Sequence, residues 1–121
     1  MTIKTSIIVR WQFEGFHFYP DAPPEVEFLK SSHRHLFKCS AKIEVFDDDR
    51  ELEFFIVQRK LKKKFGDGGQ RNRSCEMIAK EIAYFIQKNY GKHRPIEVEV
   101  SEDGENSAVV EIYDESCSCG M

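Results

Sequence analysis

Three features are scarce or missing in this 121-residue sequence, and each excludes a class of protein. No run of about 18 apolar residues occurs, so the sequence predicts no membrane-spanning helix. The start, MTIKTSIIVRW, lacks the long apolar stretch and small-residue cleavage site of a secretory signal peptide. The formal net charge is −3, so no overall excess of positive charge favours nucleic acid. We therefore expect a cytoplasmic protein without membrane or nucleic-acid partners.

Cysteine is also sparse, with four residues in the chain. In a cytoplasmic protein we expect these to be reduced thiols. Cys117 and Cys119 form a C-x-C pair close to the C-terminus. We interpret residues 116–121 as a short C-terminal tail, and a soft-metal or redox pair is the alternative. Residues 1–115 have the length of one domain with one modest core.

Two stretches alternate apolar and polar residues with the period of two that is typical of a half-buried strand. They cover residues 3–17 and 33–45. The segment YPDAPPE separates them, because proline fixes its own φ and cannot donate to a ladder. We predict that the two strands form an antiparallel hairpin with a long loop at one end. Two shorter runs, in IEVEVSED and SAVVEIY, predict the last two strands.

Two segments between these hairpins have the apolar spacing of helices. FFIVQRKLKKKF has apolar residues at every fourth position, and its basic residues are interpreted as a solvated face, with contact to substrate phosphates or RNA as the alternative. SCEMIAKEIAYFIQKNYG is a longer amphipathic helix with Ser74 as its N-cap and Gly91 at its end. The order β-β-α-α-β-β predicts an α+β protein, in which two helices cover one face of a four-stranded antiparallel sheet.

Three histidines are expected to meet at the loop end of the first hairpin. His33 and His35 are two positions apart, so their side chains point to the same face of the strand. His17 ends the partner strand on that strand's apolar face. Three neutral imidazoles with a fourth position left open are the donor set of a catalytic zinc site. On the residues alone the alternative stays open, in which these are ordinary polar residues at a strand edge.

Four segments carry a resemblance to a known family. In order they are FEGFHFYP, HRHLFKCSAKIEV, NRSCEMIAKEI and IEVEVSED, and they span nearly the whole chain. The sequence resembles the 6-pyruvoyltetrahydropterin synthase / 6-carboxytetrahydropterin synthase family. The resemblance implies a T-fold, a Zn²⁺ cofactor held by His17, His33 and His35, and homo-oligomers with sites between subunits. The family's HGH segment is HRH here, and Arg34 is expected to face away from the metal.

The resemblance also implies where a pterin- or purine-type ligand binds. The family's pterin-anchoring glutamate, in a V-x-E-T context, corresponds to Glu102 in VSED. A carboxylate matches the amidine edge of a pterin or guanine with two parallel hydrogen bonds. The family's P-T-S-E helix start corresponds to RSCE, which implies that Ser74 and Cys75 lie close to the ligand. On the residues alone, Glu102 is a surface acid beside a turn and Ser74 is an N-cap.

The departures from the family concern the groups that move protons. The family's catalytic cysteine corresponds to Leu29, and the nearest ionisable substitute is Glu27. Its Asp–His pair between the helices is reduced to Asp67 in GDGGQRNR, which has no histidine. Losing a general acid or base lowers a rate by about 10²–10⁴.

The departures therefore imply a zinc-containing synthase-like protein that binds a pterin- or purine-type ligand, with the lyase activity altered or lost. Glu27 and Asp67 are the catalytic candidates. The alternative is a non-catalytic oligomer that binds or sequesters nucleotides or pterins.

Overall fold

A computed structural model describes residues 1–67 and 72–113 as a sheet covered by helices. The elements in chain order are β1 (Thr5–His17), β2 (His33–Val45), α1 (Phe54–Phe65), α2 (Cys75–Tyr90), β3 (Ile96–Glu102) and β4 (Asn106–Ile112). The predicted order β-β-α-α-β-β is confirmed. The predicted tail, 116–121 with its C-x-C pair, lies outside the described residues.

The four strands form one antiparallel sheet in the order β1-β2-β3-β4. The first hairpin pairs Thr5 with Val45 at one end and His17 with His33 at the other. Its loop contains a short 3-10 segment, Pro24–Lys30, which the sequence pattern did not predict. Within the described residues, β1 and β4 each pair on one side and leave two sheet edges open.

The core lies between the sheet and the two helices. Alternate residues of the strands meet the apolar stripes of the helices, as expected when every second side chain points to one face. The largest fully buried side chains come from both layers: Phe37, Ile43, Val57, Leu61, Ile78, Ile82, Ile86, Val98 and Val100. Cys39 belongs to this core, and burial raises the pKa of its thiol to about 12. Both helices therefore cover the same face of the sheet.

Gly15 makes room for an aromatic ring beneath the histidines. A Cβ at this position would lie 3.0 Å from a ring carbon of Phe37, which is fully buried. The Phe37 ring is stacked on Phe13 at a centroid distance of 5.2 Å. Glycine allows this close approach because it has no side chain.

Caps fix where the helices begin and end. The predicted N-cap of α2 is present, because the Ser74 hydroxyl accepts a hydrogen bond from the Met77 amide at 3.1 Å. Gly91 follows α2 with a φ of 115°, and its amide donates to the Gln87 carbonyl. Glu53 caps α1, a role that its residue type did not predict. Neither helix of the described chain is long and apolar enough to cross a membrane.

Arg94 joins the end of α2 to β2 and to the turn after it. Its guanidinium donates hydrogen bonds to the carbonyls of Tyr90 and Glu44 and to the carboxylate of Glu51, the last at 2.7 Å. The hydrogen bond from Arg94, together with one from the Phe46 amide, lowers the pKa of Glu51 from 4.5 to about 2. This contact therefore stabilises the fold only while Glu51 is ionised.

We expect Glu51→Gln to flatten the acid dependence of stability. A carboxyl whose pKa is depressed on folding stabilises the folded state above its unfolded pKa, and this is lost as pH falls between 4.5 and about 2. Urea unfolding across that window should show a steeper loss in the wild type than in the variant. Glu25→Gln, at an exposed carboxylate, is the control. Equal acid dependence in wild type and Glu51→Gln would contradict the assignment.

Candidate metal centre

Three histidine rings from the first hairpin form a compact triangle. The ring centroids of His17, His33 and His35 are 4.4 to 4.9 Å apart, and one ring nitrogen from each lies within 4.8 Å of the others. The β1–β2 register causes this, because it places His17 opposite His33 and Gly15 opposite His35. His17 is 8% exposed, so the triangle is closed on the side of the core.

In all three rings the Nδ1 atom lies against an oxygen. The partners are the Arg73 carbonyl for His17 (3.2 Å), the Ser31 carbonyl for His33 (2.8 Å) and an Asp103 carboxylate oxygen for His35 (2.7 Å). Carbonyl and carboxylate oxygens only accept, so each neutral imidazole must carry its proton on Nδ1 and donate it. The Nε2 atoms are therefore the unprotonated nitrogens, with their lone pairs available to a metal ion.

The Nε2 atoms of His17 and His35 lie near the carboxylate of Glu102. Those of His33 and His35 are buried without a hydrogen-bond partner. The Glu102 oxygens lie 3.5 Å from Nε2 of His17 and 3.4 Å from Nε2 of His35. Acceptors buried face to face are unfavourable unless a cation or a donor lies between them.

This donor set suits Zn²⁺. Neutral imidazole is a common zinc ligand, and burial lowers the pKa of His17 below its ordinary 6.5, which favours that neutral form. A metal-binding histidine usually donates its other ring N–H to a carbonyl or carboxylate oxygen, which fixes the orientation of the ring, and all three histidines have such a contact at Nδ1. The residues present therefore fit the cofactor implied by the sequence resemblance.

Asp103 is a site residue that the sequence reasoning missed. One of its oxygens accepts from Nδ1 of His35 and the other accepts from the Leu36 amide at 2.8 Å. These two hydrogen bonds, that from Leu36 first, lower the pKa of Asp103. Its φ of 57° is left-handed, a conformation that aspartate and asparagine tolerate better than most residues. The β2–β3 register places Asp103 beside His35. The sequence motif identified only Glu102, so the residue after it was not assigned to the site.

We expect Asp103→Asn to weaken Zn²⁺ binding about 10- to 100-fold, the usual effect of losing an outer partner of a metal ligand. The amide has the same shape and tolerates the same backbone, but it no longer offers a charged acceptor to His35. Competition with a chromophoric chelator measures the affinity. Asp48→Asn, at an exposed acid, controls for the lost charge. Equal affinities of Asp103→Asn and the wild type would refute the positioning role.

A cavity of about 550 Å³ opens beside the triangle, within the range of small-molecule sites. Its lining includes His17, His33, Leu29, Ser74, Cys75 and Glu102, together with Tyr19, Asp21, Arg73 and Met77. The last four were not identified from the sequence, because the order of residues does not reveal how the loop after β1 folds against the start of α2. The structure thus brings Ser74, Cys75 and Glu102 together with the histidines.

Cys75 touches Glu102 inside this cavity. Its Sγ donates to a carboxylate oxygen of Glu102 at 3.7 Å. Burial, followed by the nearby charge of Glu102, raises the pKa of the thiol to about 12. Cys75 is therefore protonated at neutral pH, and it serves as a weak hydrogen-bond donor rather than a thiolate.

The two predicted catalytic acids lie elsewhere. Glu27 is exposed on the 3-10 segment and lies 3.7 Å from the Lys30 ammonium. Asp67 follows the end of α1. Neither belongs to the described residues that line the cavity, whereas Leu29 does. The structure therefore does not bring Glu27 or Asp67 to the histidines.

Comparison with known proteins identifies the fold. No protein-family model and no curated protein matches the chain. The solved 6-pyruvoyl tetrahydropterin synthase of Plasmodium falciparum is similar, with a TM-score of 0.70 and 18% identity over 93% of this chain and 100% of that chain. The synthase of Plasmodium vivax, solved with a catalytic glutamate replaced by alanine, is also similar. Its TM-score is 0.62, with 16% identity over 93% of this chain and 100% of that chain.

An uncharacterized protein from Wolinella succinogenes is also similar, with a TM-score of 0.63 and 12% identity over 90% of this chain and 98% of that chain. At these identities the likeness establishes the fold. The chain therefore has the T-fold of the 6-pyruvoyltetrahydropterin synthases, and the resemblance noted in the sequence is confirmed at that level.

Proposed function

We propose that this protein binds Zn²⁺ through His17, His33 and His35 and a pterin- or purine-type ligand in the adjoining cavity. It would then be a 6-pyruvoyl/6-carboxytetrahydropterin synthase-like protein with the lyase activity altered or lost. The observation that carries the proposal is the cluster of three histidine ring nitrogens within 4.8 Å of one another, with each ring fixed by a hydrogen bond at Nδ1. The fold shared with pterin synthases supports the ligand class.

Glu102 and the start of α2 are suited to hold the ligand's ring. A carboxylate accepts two parallel hydrogen bonds from an amidine edge, which pterins and guanines share. The Cys75 thiol lies beside it as a donor, and Tyr19 and Met77 give the cavity an aromatic and an apolar wall. When bound, Zn²⁺ would supply a Lewis acid that polarises oxygen atoms of the ligand's side chain.

The family's proton carriers are missing at their own positions, which favours altered or absent turnover, whereas the carboxyls of Asp21 and Glu76 do line the cavity. Leu29 lines the cavity where the family has its cysteine, and its side chain cannot take up a proton. The Cys75 thiol has a pKa of about 12, which is too high for a general base at neutral pH. Neither Glu27 nor Asp67 is among the described residues that line the cavity, so either would have to move to reach a ligand there. These observations keep a non-catalytic binder or sequestering protein as the second candidate.

The open edges of β1 and β4 support assembly into a homo-oligomer. Unpaired edge strands offer rows of backbone donors and acceptors that a second copy can satisfy. We propose that copies of this chain join at these edges and that ligand sites lie between subunits. Sedimentation analysis of the purified protein should find an oligomer, and a monomer at micromolar concentration would contradict it.

Metal analysis of protein purified without chelator or histidine tag is the first test. We expect one Zn²⁺ per chain, lost in His17→Ala, and calorimetric binding of a pterin or a guanine derivative to the wild type. Incubation of the zinc-loaded protein with dihydroneopterin triphosphate then separates the two candidates. A new pterin product supports an enzyme, and binding without a product supports the sequestering role. Absence of both zinc and ligand binding would overturn the proposal.

A further inference from the structure

The Glu102 carboxylate lies next to two of the histidine nitrogens, at 3.5 Å from Nε2 of His17 and 3.4 Å from Nε2 of His35. A residue that only contacted the ligand would not need this proximity. We propose that the Glu102 carboxylate is the fourth ligand of the metal in the ligand-free protein. A pterin- or purine-type ligand must then draw Glu102 away from the metal to use it as an anchor. This inference rests on the proposed function, and it adds that the metal site closes itself when the cavity is free.

The distances between donor atoms support direct ligation. Zinc bonds of about 2.0–2.2 Å in a tetrahedral site place neighbouring donor atoms roughly 3.3–3.5 Å apart. The Glu102 oxygens are 3.5 Å from Nε2 of His17 and 3.4 Å from Nε2 of His35. The hydrogen bonds at Nδ1 in the same cluster are shorter, at 2.7 to 3.2 Å. The carboxylate is therefore spaced from these nitrogens as a second metal ligand would be.

For neutral rings, the contacts at Nδ1 argue against the simpler explanation, a histidine–carboxylate hydrogen bond. Each Nδ1 donates to its own acceptor, so a neutral ring has no proton left on Nε2 to give to Glu102. In agreement, Nε2 of His35 has no hydrogen-bond partner despite the 3.4 Å contact. Among the described side chains, the donor to this carboxylate is the Cys75 thiol, and a thiol is a weak donor. A cation between Glu102 and the rings would satisfy all of these acceptors.

The sheet holds Glu102 in this position from both sides. Glu102 ends β3 opposite Phe37, whose ring contacts the rings of His17 and His35 at centroid distances of 5.4 and 6.0 Å. The next residue, Asp103, is bound through its backbone amide to the Leu36 carbonyl at 2.8 Å. The backbone of Glu102 is thus held by its pairing with Phe37 and by the hydrogen bond of Asp103, so the freedom to turn from the metal to the cavity lies in its side chain.

A shared carboxylate couples the two binding events. Two parallel hydrogen bonds from an amidine edge use both oxygens of the Glu102 carboxylate. In that orientation the carboxylate cannot also bind the metal as strongly. Thermodynamic linkage then requires that the ligand weakens the hold on Zn²⁺ by the same factor by which Zn²⁺ weakens the hold on the ligand. The protein would release its ligand more easily when zinc-loaded than a site with an independent anchor.

The test compares Zn²⁺ affinity and Co²⁺ absorption among variants at position 102. Metal-free chain is titrated in competition with a chromophoric chelator, and the visible d–d band of Co²⁺ reports how many ligands surround the ion. Glu102→Gln removes the charge, whereas Glu102→Asp keeps it but shortens the side chain by one bond of about 1.5 Å. Glu99→Gln, on the same strand but on the opposite face, is the matched control.

We expect both Glu102 variants to bind Zn²⁺ at least about tenfold more weakly and to change the Co²⁺ band, with Glu99→Gln unchanged. Near-wild-type affinity in Glu102→Asp together with unaltered Co²⁺ bands would overturn ligation, because charge alone would then explain any effect in Glu102→Gln. If the wild type binds neither metal, the proposed function itself fails. Matching unfolding midpoints of the metal-free variants establish that the fold is intact.

Discussion

His33→Ala is expected to lower the affinity for Zn²⁺ by a factor of about 10²–10³. Zinc held by four ligands binds with roughly 10–16 kcal/mol, so one ligand accounts for about 2.5–4 kcal/mol. His33 suits this test because its ring lies at the rim of the triangle and its Nδ1 hydrogen bond is local, to the Ser31 carbonyl two residues away. Its removal should leave the strand pairing of the hairpin in place.

The loss of Zn²⁺ affinity can be measured directly and also through the thermal unfolding midpoint. A metal that binds only the folded state raises stability by RT ln(1 + [Zn²⁺]/Kd), so added Zn²⁺ should raise the unfolding midpoint of the wild type and scarcely that of His33→Ala. In the metal-free state the variant should differ little in stability, because it loses the hydrogen bond to the Ser31 carbonyl but also removes a buried nitrogen without a partner. His93→Ala, at the exposed histidine before β3, is the control. Equal Zn²⁺-dependent shifts in wild type and His33→Ala would exclude the proposed centre.

Phe37→Ala is expected to destabilise the protein by about 3–5 kcal/mol, the range for truncating a buried phenylalanine. Phe37 is fully buried, stacks on Phe13, and supports the rings of His17 and His35 from below. The cavity left behind has a second effect, because two rings of the proposed metal centre lose the surface that orients them. We therefore expect weaker Zn²⁺ binding in addition to a lower free energy of unfolding.

Urea unfolding of the metal-free chain measures the first effect, and chelator competition measures the second. Phe37→Leu keeps much of the buried volume, so it should recover part of both. Phe28→Ala is the control, since that ring is 73% exposed on the 3-10 segment. A loss below about 1 kcal/mol in Phe37→Ala would show that the space under the histidines refills, contrary to the close packing around Gly15.

The periodicity of the sequence was sufficient for the order of strands and helices, and it predicted that the three histidines could meet. Alternation with a period of two assigns faces to whole strands, so it placed His33 and His35 on the core side before any pairing was known. The cap at Ser74 was also predictable, because an N-cap is a local interaction between a side chain and the next turn.

The rest depended on contacts between segments that are far apart in sequence. Asp103 reaches His35 through the β2–β3 register, and no local pattern specifies that register. Glu27 and Asp67 were chosen because they are near the family's catalytic positions in sequence. Sequence proximity does not determine which way a side chain points from a 3-10 turn or from the end of a helix. The residues that line the cavity also depended on how the proline-containing loop after β1 folds. A loop has no repeating pattern of apolar residues from which its fold could be predicted.

The shared parity of core and metal donors limits how the length of this chain can change. Inserting or deleting one residue within β1 would move every side chain after it to the opposite face, so Phe13 would leave the core and His17 would leave the triangle together. The connection between the first two strands, residues 18–32, lies outside this constraint. Relatives that keep the metal centre should therefore differ in length in that connection and in the β3–β4 turn, and seldom inside the paired strands.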